Sequence, residues 1–237
     1  MSRVPEGSSS PSARSPGRPL HQVIVGLEEA LWEAGPNPVT DFADALECEG
    51  RYDMPPDEKD RWEALGRFRD ALTQFLAGKE AAFIGGVAVR TYGGRTTATV
   101  DFDFLVAPSL LKDVTSFLES EGAELKGTVE STYSFRVKPC ALNVDVRLAQ
   151  SALDQEALQT GGTSRFRGRQ LGIVRPDFLA AMKVKAYSER KGQSEGDQDR
   201  KDVQGLVRVG STSPEAIREI LKRHRPDLVS ELDEILQ

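Results

Sequence analysis

The segment Ala82–Val106, AFIGGVAVRTYGGRTTATVDFDFLV, constrains the fold of this chain more than any other part of it. It begins with an apolar approach into Gly85-Gly86 and ends in a strand pattern that carries Asp101 and Asp103. Side chains alternate between the two faces of a strand, so both carboxylates lie on one face, about 7 Å apart. The other face is apolar, with Val100, Phe102, Phe104 and Val106. The segment therefore predicts a strand with one packed face and one acidic face.

Two neighbouring carboxylates favour a bound cation, because adjacent anions repel each other unless positive charge lies between them. Mg²⁺ is typically held by one or two carboxylates together with substrate phosphates, and Mn²⁺ is an alternative with the same oxygen ligands. Gly85 and Gly86 let the backbone turn sharply and bring N–H groups close to an anion. A helix beginning near Val87 would add its positive dipole end at the same place. The pattern indicates metal-dependent phosphoryl or nucleotidyl transfer.

Two residues between the glycines and the aspartates, Arg95 and Thr99, are further candidates for contacts with the substrate. The hydroxyl group of Thr99 could donate a hydrogen bond to a phosphate oxygen. Threonine is also common in strands because its side chain is β-branched, and this explains Thr99 equally well.

A third carboxylate lies in a later strand pattern. In ALNVDVRL, residues 141–148, four apolar side chains alternate with Asn143, Asp145 and Arg147. If this strand lies beside that of Asp101, Asp145 completes a metal site with Asp101 and Asp103 and could accept the proton of an attacking hydroxyl. A plain surface strand, or a salt bridge near Arg147, is the alternative explanation of Asp145.

An apolar residue with two glycines after it, followed later by Asp-x-Asp on a strand, resembles the motif of the nucleotidyltransferase superfamily. The matching residues are Ile84-Gly85-Gly86 and Asp101-Phe102-Asp103. The chain is similar in particular to the AbiEii-like nucleotidyltransferases, which include toxins of toxin–antitoxin pairs. Gly86 stands where that motif often has serine, and Gly93-Gly94 lengthens the segment before Asp101. Neither departure removes a carboxylate.

The same resemblance assigns roles to charged residues closer to the C-terminus. Toxin-like members carry a lysine on a helix after the sheet, and a Lys-Asp pair opens their next helix. By that resemblance Lys183 contacts the triphosphate, and Lys201 and Asp202 line or brace the pocket. A lysine there would offset negative charge that develops in the transition state. Solvated charges on helix surfaces are the alternative for the lysines, and the intervening GQSEGDQD is predicted to be a loop.

Composition restricts the class of protein. The chain has 237 residues and a net charge of −6, and it contains no apolar run near the roughly 18 residues of a membrane helix. Residues 1–20 lack the apolar core of a secretory signal, so we expect a cytoplasmic protein with no membrane partner. Two isolated cysteines and two distant histidines indicate neither a disulfide framework, nor a zinc site, nor histidine-based catalysis.

Apolar periodicity and composition divide the chain into four predicted parts. These are a disordered tail over 1–20, an N-terminal helical region over 21–77, a nucleotidyltransferase core over 78–150 and a mostly helical C-terminal region over 151–237. The apolar stripe of residues 57–77 is interpreted as core packing. The predicted fold is α+β, a small mixed sheet of nucleotidyltransferase type flanked by helices.

The leading functional hypothesis is transfer of a nucleoside monophosphate from an NTP to a hydroxyl acceptor. Rossmann and P-loop sites are excluded, because neither glycine motif occurs. The AbiEii-like features and the arginines of 165–175 favour tRNA as acceptor, with a cognate antitoxin as partner, although a solvated hairpin explains those arginines equally well. An antibiotic or other small hydroxylated acceptor is one alternative. A non-catalytic nucleotide-binding or antitoxin module of the same fold is another.

Overall fold

The computed structural model describes residues 56–95, 101–166 and 169–237. The predicted tail over 1–20, residues 21–55 of the predicted N-terminal helical region and the candidate residue Thr99 lie outside these ranges. The helices are α1 (Pro56–Leu76), α2 (Gly85–Thr91), α3 (Leu111–Ser120), α4 (Ala152–Gln159), α5 (Pro176–Glu189), α6 (Ser194–Arg208), α7 (Pro214–His224) and α8 (Val229–Ile235). The strands are β1 (Ala81–Phe83), β2 (Asp101–Val106), β3 (Ala123–Val129), β4 (Thr132–Val137), β5 (Leu142–Leu148), β6 (Gly162–Phe166) and β7 (Arg169–Ile173). The predicted α+β class is confirmed.

Within the described ranges, seven strands form one mixed sheet in the order β3-β4-β5-β2-β1-β7-β6. Strand β2 is central: it pairs antiparallel with β1 and parallel with β5. The prediction that the strand of Asp145 lies beside that of Asp101 is therefore confirmed. Strands β3 and β4 pair antiparallel and form a hairpin at one edge of the sheet. Strands β6 and β7, within the region predicted to be mostly helical, pair as a second hairpin that extends the sheet beyond β1.

Alternation along β2 determines where its acidic side chains lie. Phe104 and Val106 are buried in a core cluster on the side of α1 and α3. Leu105 is buried in the other cluster, which contains the apolar side chains of α5, α6 and α7. Because Asp101 and Asp103 share the face of Leu105, they lie on the side of the sheet that α5 covers. The predicted division of β2 into an apolar and an acidic face is confirmed.

Helix α6 begins earlier than predicted, so the prediction of a loop over GQSEGDQD is wrong. The helix starts at Ser194, and its first turn carries two acidic residues that interact favourably with the positive end of the helix dipole. Gly196 is buried, and a Cβ atom there would lie 2.3 Å from the carbonyl oxygen of Arg190. This glycine therefore serves close packing between α5 and α6. The earlier start places Asp199 and Asp202 about one turn apart on the buried side of α6.

Proline residues open the last helical segments. The hydroxyl group of Ser213 accepts a hydrogen bond from the backbone N–H of Ala216 at 3.2 Å, and Pro214 opens α7. Pro226 begins a short 3-10 turn that leads into α8. Across the three described ranges, no helix is both long and apolar enough to cross a membrane.

Candidate active site

Two of the three predicted carboxylates are brought together by strand register. Asp103 of β2 and Asp145 of β5 are paired across neighbouring parallel strands, and Asp101 is paired with Asn143. Paired residues of adjacent strands project to the same face of a sheet, so all three carboxylates lie on one face. All three are partly buried. The shared face that the sequence predicts for these aspartates is present.

The glycine turn after β1 lies directly against Asp103. Gly85 has a φ of +61°, which favours glycine, and a Cβ atom there would lie 1.7 Å from Oδ2 of Asp103. The backbone is also joined at this point, because the N–H of Ile84 donates to the carbonyl oxygen of Asp103 at 3.0 Å. The N–H of Gly86 donates a hydrogen bond to the Asp103 carboxylate. The turn predicted to approach a substrate phosphate thus also holds the carboxylate of Asp103 in place.

The environment of Asp103 contains an excess of negative charge. Burial and the charge of Asp145, with a smaller effect from Asp101, raise the pKa of the Asp103 carboxyl group to about 6. The positive charge of Lys183 and the hydrogen bond from Gly86 act in the opposite direction, but they do not outweigh burial and repulsion. A cation bound between these carboxylates would supply the missing compensation.

The carboxylates fit a divalent cation by their chemistry. Oxygen ligands from Asp side chains suit Mg²⁺ or Mn²⁺, and the raised pKa of Asp103 reflects uncompensated charge. In the described part of the chain, no three His, Cys, Asp or Glu side chains already stand in a metal-binding arrangement. Oδ1 of Asp101 accepts a hydrogen bond from Nδ2 of Asn143 at 3.1 Å. Asp103 and Asp145, which the strand register pairs directly, are the two carboxylates that one ion would bridge first.

Lys183 lies on α5 and forms two short ion pairs with α6. Its Nζ atom is 2.7 Å from Oδ1 of Asp199 and 2.9 Å from Oδ2 of Asp202. Its side chain is only 15% exposed. Helix α5 covers the acidic face of the sheet, and the positive charge of Lys183 acts to lower the pKa of the Asp103 carboxyl group. The structure thus brings Lys183 toward the site.

The other predicted site residues are divided between the core and the surface. Arg95 donates to Asp202 through two nitrogens, Nε at 2.9 Å and Nη2 at 2.6 Å. Asp202 is almost fully buried, whereas the neighbouring Lys201 is exposed to solvent. Asp199, a central partner of Lys183, was not identified from the sequence. The three-residue spacing of Asp199 and Asp202 could have indicated that both side chains lie on one face of a helix. That spacing is informative only if α6 includes Asp199, and the sequence predicts a loop there.

No family model matches the sequence, and no curated protein matches it either. Among solved structures, the chain is similar to the antibiotic-resistance factor ANT(2'')-Ia in solution, with a TM-score of 0.53 and 12% identity over 75% of this chain and 97% of that one. A crystal structure of ANT(2'')-Ia in complex with adenylyl-2''-tobramycin matches with a TM-score of 0.53 and 12% identity, over 70% and 97% of the two chains.

A nucleotidyltransferase-like antigenic protein from Paracoccidioides brasiliensis is 18% identical over 75% of this chain and 91% of that one, with a TM-score of 0.39. At such identities the likeness concerns the fold alone, and the resemblance to the AbiEii-like branch stays a prediction. The seven-stranded mixed sheet with its flanking helices is a fold of the nucleotidyltransferase type.

Proposed function

We propose that this protein is a nucleotidyltransferase that depends on a divalent cation. It moves a nucleoside monophosphate from an NTP to the hydroxyl group of an acceptor and releases pyrophosphate. The observation that carries the proposal is the pairing of Asp103 with Asp145, with Asp101 on the same face and the Gly85 turn against Asp103. The neighbours in fold are nucleotidyltransferases, which supports the reaction class.

The reaction is a displacement at phosphorus. The acceptor oxygen forms a bond to the α-phosphorus, the bond from that phosphorus to the oxygen bridging the α- and β-phosphates breaks, and pyrophosphate leaves with the bonding electrons. The hydroxyl proton passes to a carboxylate, for which Asp145 is the candidate. Asp101, Asp103 and Asp145 would hold Mg²⁺ or Mn²⁺. When bound, the ion would neutralise charge and polarise the phosphoryl oxygens.

The cationic residues differ in their proposed roles. Phosphoryl transfer depends mainly on positioning and on electrostatic stabilisation, and Lys183 would stabilise the charge of the polyphosphate. Arg95 fits a bracing role better than a substrate contact, because both of its donating nitrogens are directed at the buried Asp202. The backbones of Gly85 and Gly86 remain candidates for contacts with phosphate. Lys201, which is exposed, remains a candidate for a substrate contact at the edge of the pocket.

Two classes of acceptor are proposed. The first is tRNA, which would make the protein a toxin of a toxin–antitoxin pair acting in the cytoplasm. It is supported by the resemblance to AbiEii-like proteins and by the arginines of the β6–β7 hairpin, of which Arg165 is exposed. The second is a small hydroxylated compound such as an aminoglycoside. It is supported by the likeness in fold to ANT(2'')-Ia, which has been crystallised with adenylyl-2''-tobramycin.

The test incubates the protein with each α-³²P-labelled NTP and Mg²⁺, with total tRNA in one series and an aminoglycoside panel in another. Asp101→Ala is the inactive variant. Asp113→Asn is the matched control, because Asp113 is an exposed carboxylate on α3, which packs on the other face of the sheet. We expect label on one acceptor class with wild type and Asp113→Asn, and none with Asp101→Ala. If no NTP is consumed with either class, a non-catalytic module becomes the better description.

A further inference from the structure

Lys183 is a buried lysine that stays charged because of two carboxylates. Burial acts to lower the pKa of its ammonium group, but the charges of Asp202 and Asp199 outweigh this effect and hold the pKa above its ordinary value. Asp199 and Asp202 are themselves only 2% and 1% exposed. A charge removed from water to this extent needs such partners, and removal of one partner leaves the others uncompensated.

The two carboxylates are not equivalent. Asp202 accepts four hydrogen bonds: two from Arg95, one from Gln198 at 2.9 Å and one from Lys183. Its lone pairs are therefore fully used, and it joins Arg95 to α6 as much as it holds Lys183. Asp199 accepts the 2.7 Å hydrogen bond from Lys183 through Oδ1, while Oδ2 lies 3.4 Å from Arg190, whose side chain is half exposed. The shortest contact of the Lys183 ammonium group is thus the one to Asp199.

One N–H donor of Lys183 remains after these two contacts. An ammonium group has three N–H donors, and Asp199 and Asp202 take two of them. Both of these carboxylates belong to α6, whereas Asp103, on which Lys183 acts electrostatically, lies across on β2. Fixing two donors on α6 leaves the third free to serve a ligand that contacts the acidic face of the sheet.

We propose that Asp199 is a positioning residue for nucleotidyl transfer: it fixes the Nζ atom of Lys183 so that one N–H and the positive charge face the polyphosphate beside Asp103. This inference rests on the function proposed above. Asp199 does not touch the substrate and acts only through Lys183. Its substitution should therefore have no effect once Lys183 has been removed, which separates positioning from general support of the fold.

The test is a double-mutant cycle with Asp199→Asn and Lys183→Met, and Asp197→Asn is the matched control on the exposed side of α6. We expect Asp199→Asn to lower kcat/KM for the NTP by about 10²-fold, the effect of a misplacement of roughly 1 Å. In the Lys183→Met background it should change kcat/KM less than about twofold, because coupled residues are not additive. Losses that multiply in the double variant would overturn the proposal. If Asp199→Asn does not fold, Asp199→Ser, which retains an oxygen acceptor, replaces it.

A second readout does not depend on activity. Acetic anhydride reacts with the unprotonated amine, and mass spectrometry compares Lys183 with the exposed Lys201 of the same molecule. We expect Asp199→Asn to raise the labelling of Lys183 relative to Lys201 at pH 8, and Asp197→Asn to leave it unchanged. An unchanged ratio in Asp199→Asn would overturn the contact itself. A raised ratio in a protein that transfers no nucleotide would instead refute the proposed function, and the positioning role with it.

Discussion

Replacement of Gly85 by alanine should remove most of the transfer activity and cause only a small loss of stability. At a φ of +61°, an alanine adopts a left-handed conformation that costs about 1–2 kcal/mol. Its Cβ atom would lie 1.7 Å from Oδ2 of Asp103, a distance at which the carboxylate must move. The backbone of Asp103 is held by the hydrogen bond from Ile84, so the side chain has to rotate. Asp103 then loses its hydrogen bond from Gly86.

The rotation also changes the electrostatic free energy of Asp103. Burial and repulsion, after the opposing effects of Lys183 and the Gly86 hydrogen bond, raise its pKa to about 6, which corresponds to about 3 kcal/mol of destabilisation at pH 7. Rotation relieves part of this cost and offsets the conformational strain, so Gly85→Ala should lose no more than about 1–2 kcal/mol of stability. Transfer activity should fall by about 10²-fold or more.

Gly78→Ala provides the matched control. Gly78 has a φ of +74° in the turn before β1, and a Cβ atom there meets nothing within 4 Å. Urea unfolding should show a loss of stability in Gly85→Ala that is no larger than in Gly78→Ala, while NTP turnover should fall only in Gly85→Ala. Full activity of Gly85→Ala, or an equal loss of activity in Gly78→Ala, would refute the assignment of Gly85 as the residue that makes room for the Asp103 carboxylate.

Three further predictions concern the charges of the site. Asp103→Asn should stabilise the protein in EDTA at pH 7 by up to about 3 kcal/mol in urea unfolding, and the gain should vanish toward pH 4, because a carboxyl group with a raised pKa destabilises the native state only where it is ionised. The affinity of wild type for Mn²⁺, measured by electron paramagnetic resonance, should fall below about pH 6 as Asp103 takes up a proton, and a pH-independent affinity would contradict this. Arg95→Met should lower the free energy of unfolding by about 3 kcal/mol, because it leaves buried Asp202 without its two-nitrogen partner. The exposed pair of Arg67 with Glu63 is the control, and Arg67→Met should cost less than about 1 kcal/mol.

Local periodicity was sufficient to predict much of the fold and the acidic face. Alternation along β2 and β5 predicts which side chains are buried, and the register then places Asp145 beside Asp103. These predictions succeed because the period of a strand fixes the face of every residue. The start of α7 at Pro214 is also determined locally, because a serine cap and a proline act there within a single turn.

Contacts between distant segments were not predictable in the same way. A glycine in a polar segment normally indicates a turn, but Gly196 lies inside α6, where a Cβ atom would meet the carbonyl oxygen of Arg190 at the end of α5. Because a loop is predicted there, the sequence does not indicate the ion pair of Asp199 with Lys183. Likewise, the contact of Gly85 with Asp103 depends on the antiparallel pairing of β1 with β2. In each case the missing information is tertiary packing, which overrides local preference.

The central claim is that the acidic face of the sheet holds a divalent cation for nucleotidyl transfer. Anomalous diffraction from crystals grown with Mn²⁺ and a non-hydrolysable NTP analogue tests it most directly. The account predicts a manganese peak about 2.1 Å from carboxylate oxygens of both Asp103 and Asp145, with a phosphate oxygen of the analogue as a further ligand. A peak that contacts neither carboxylate, or a triphosphate bound away from this face, would contradict it.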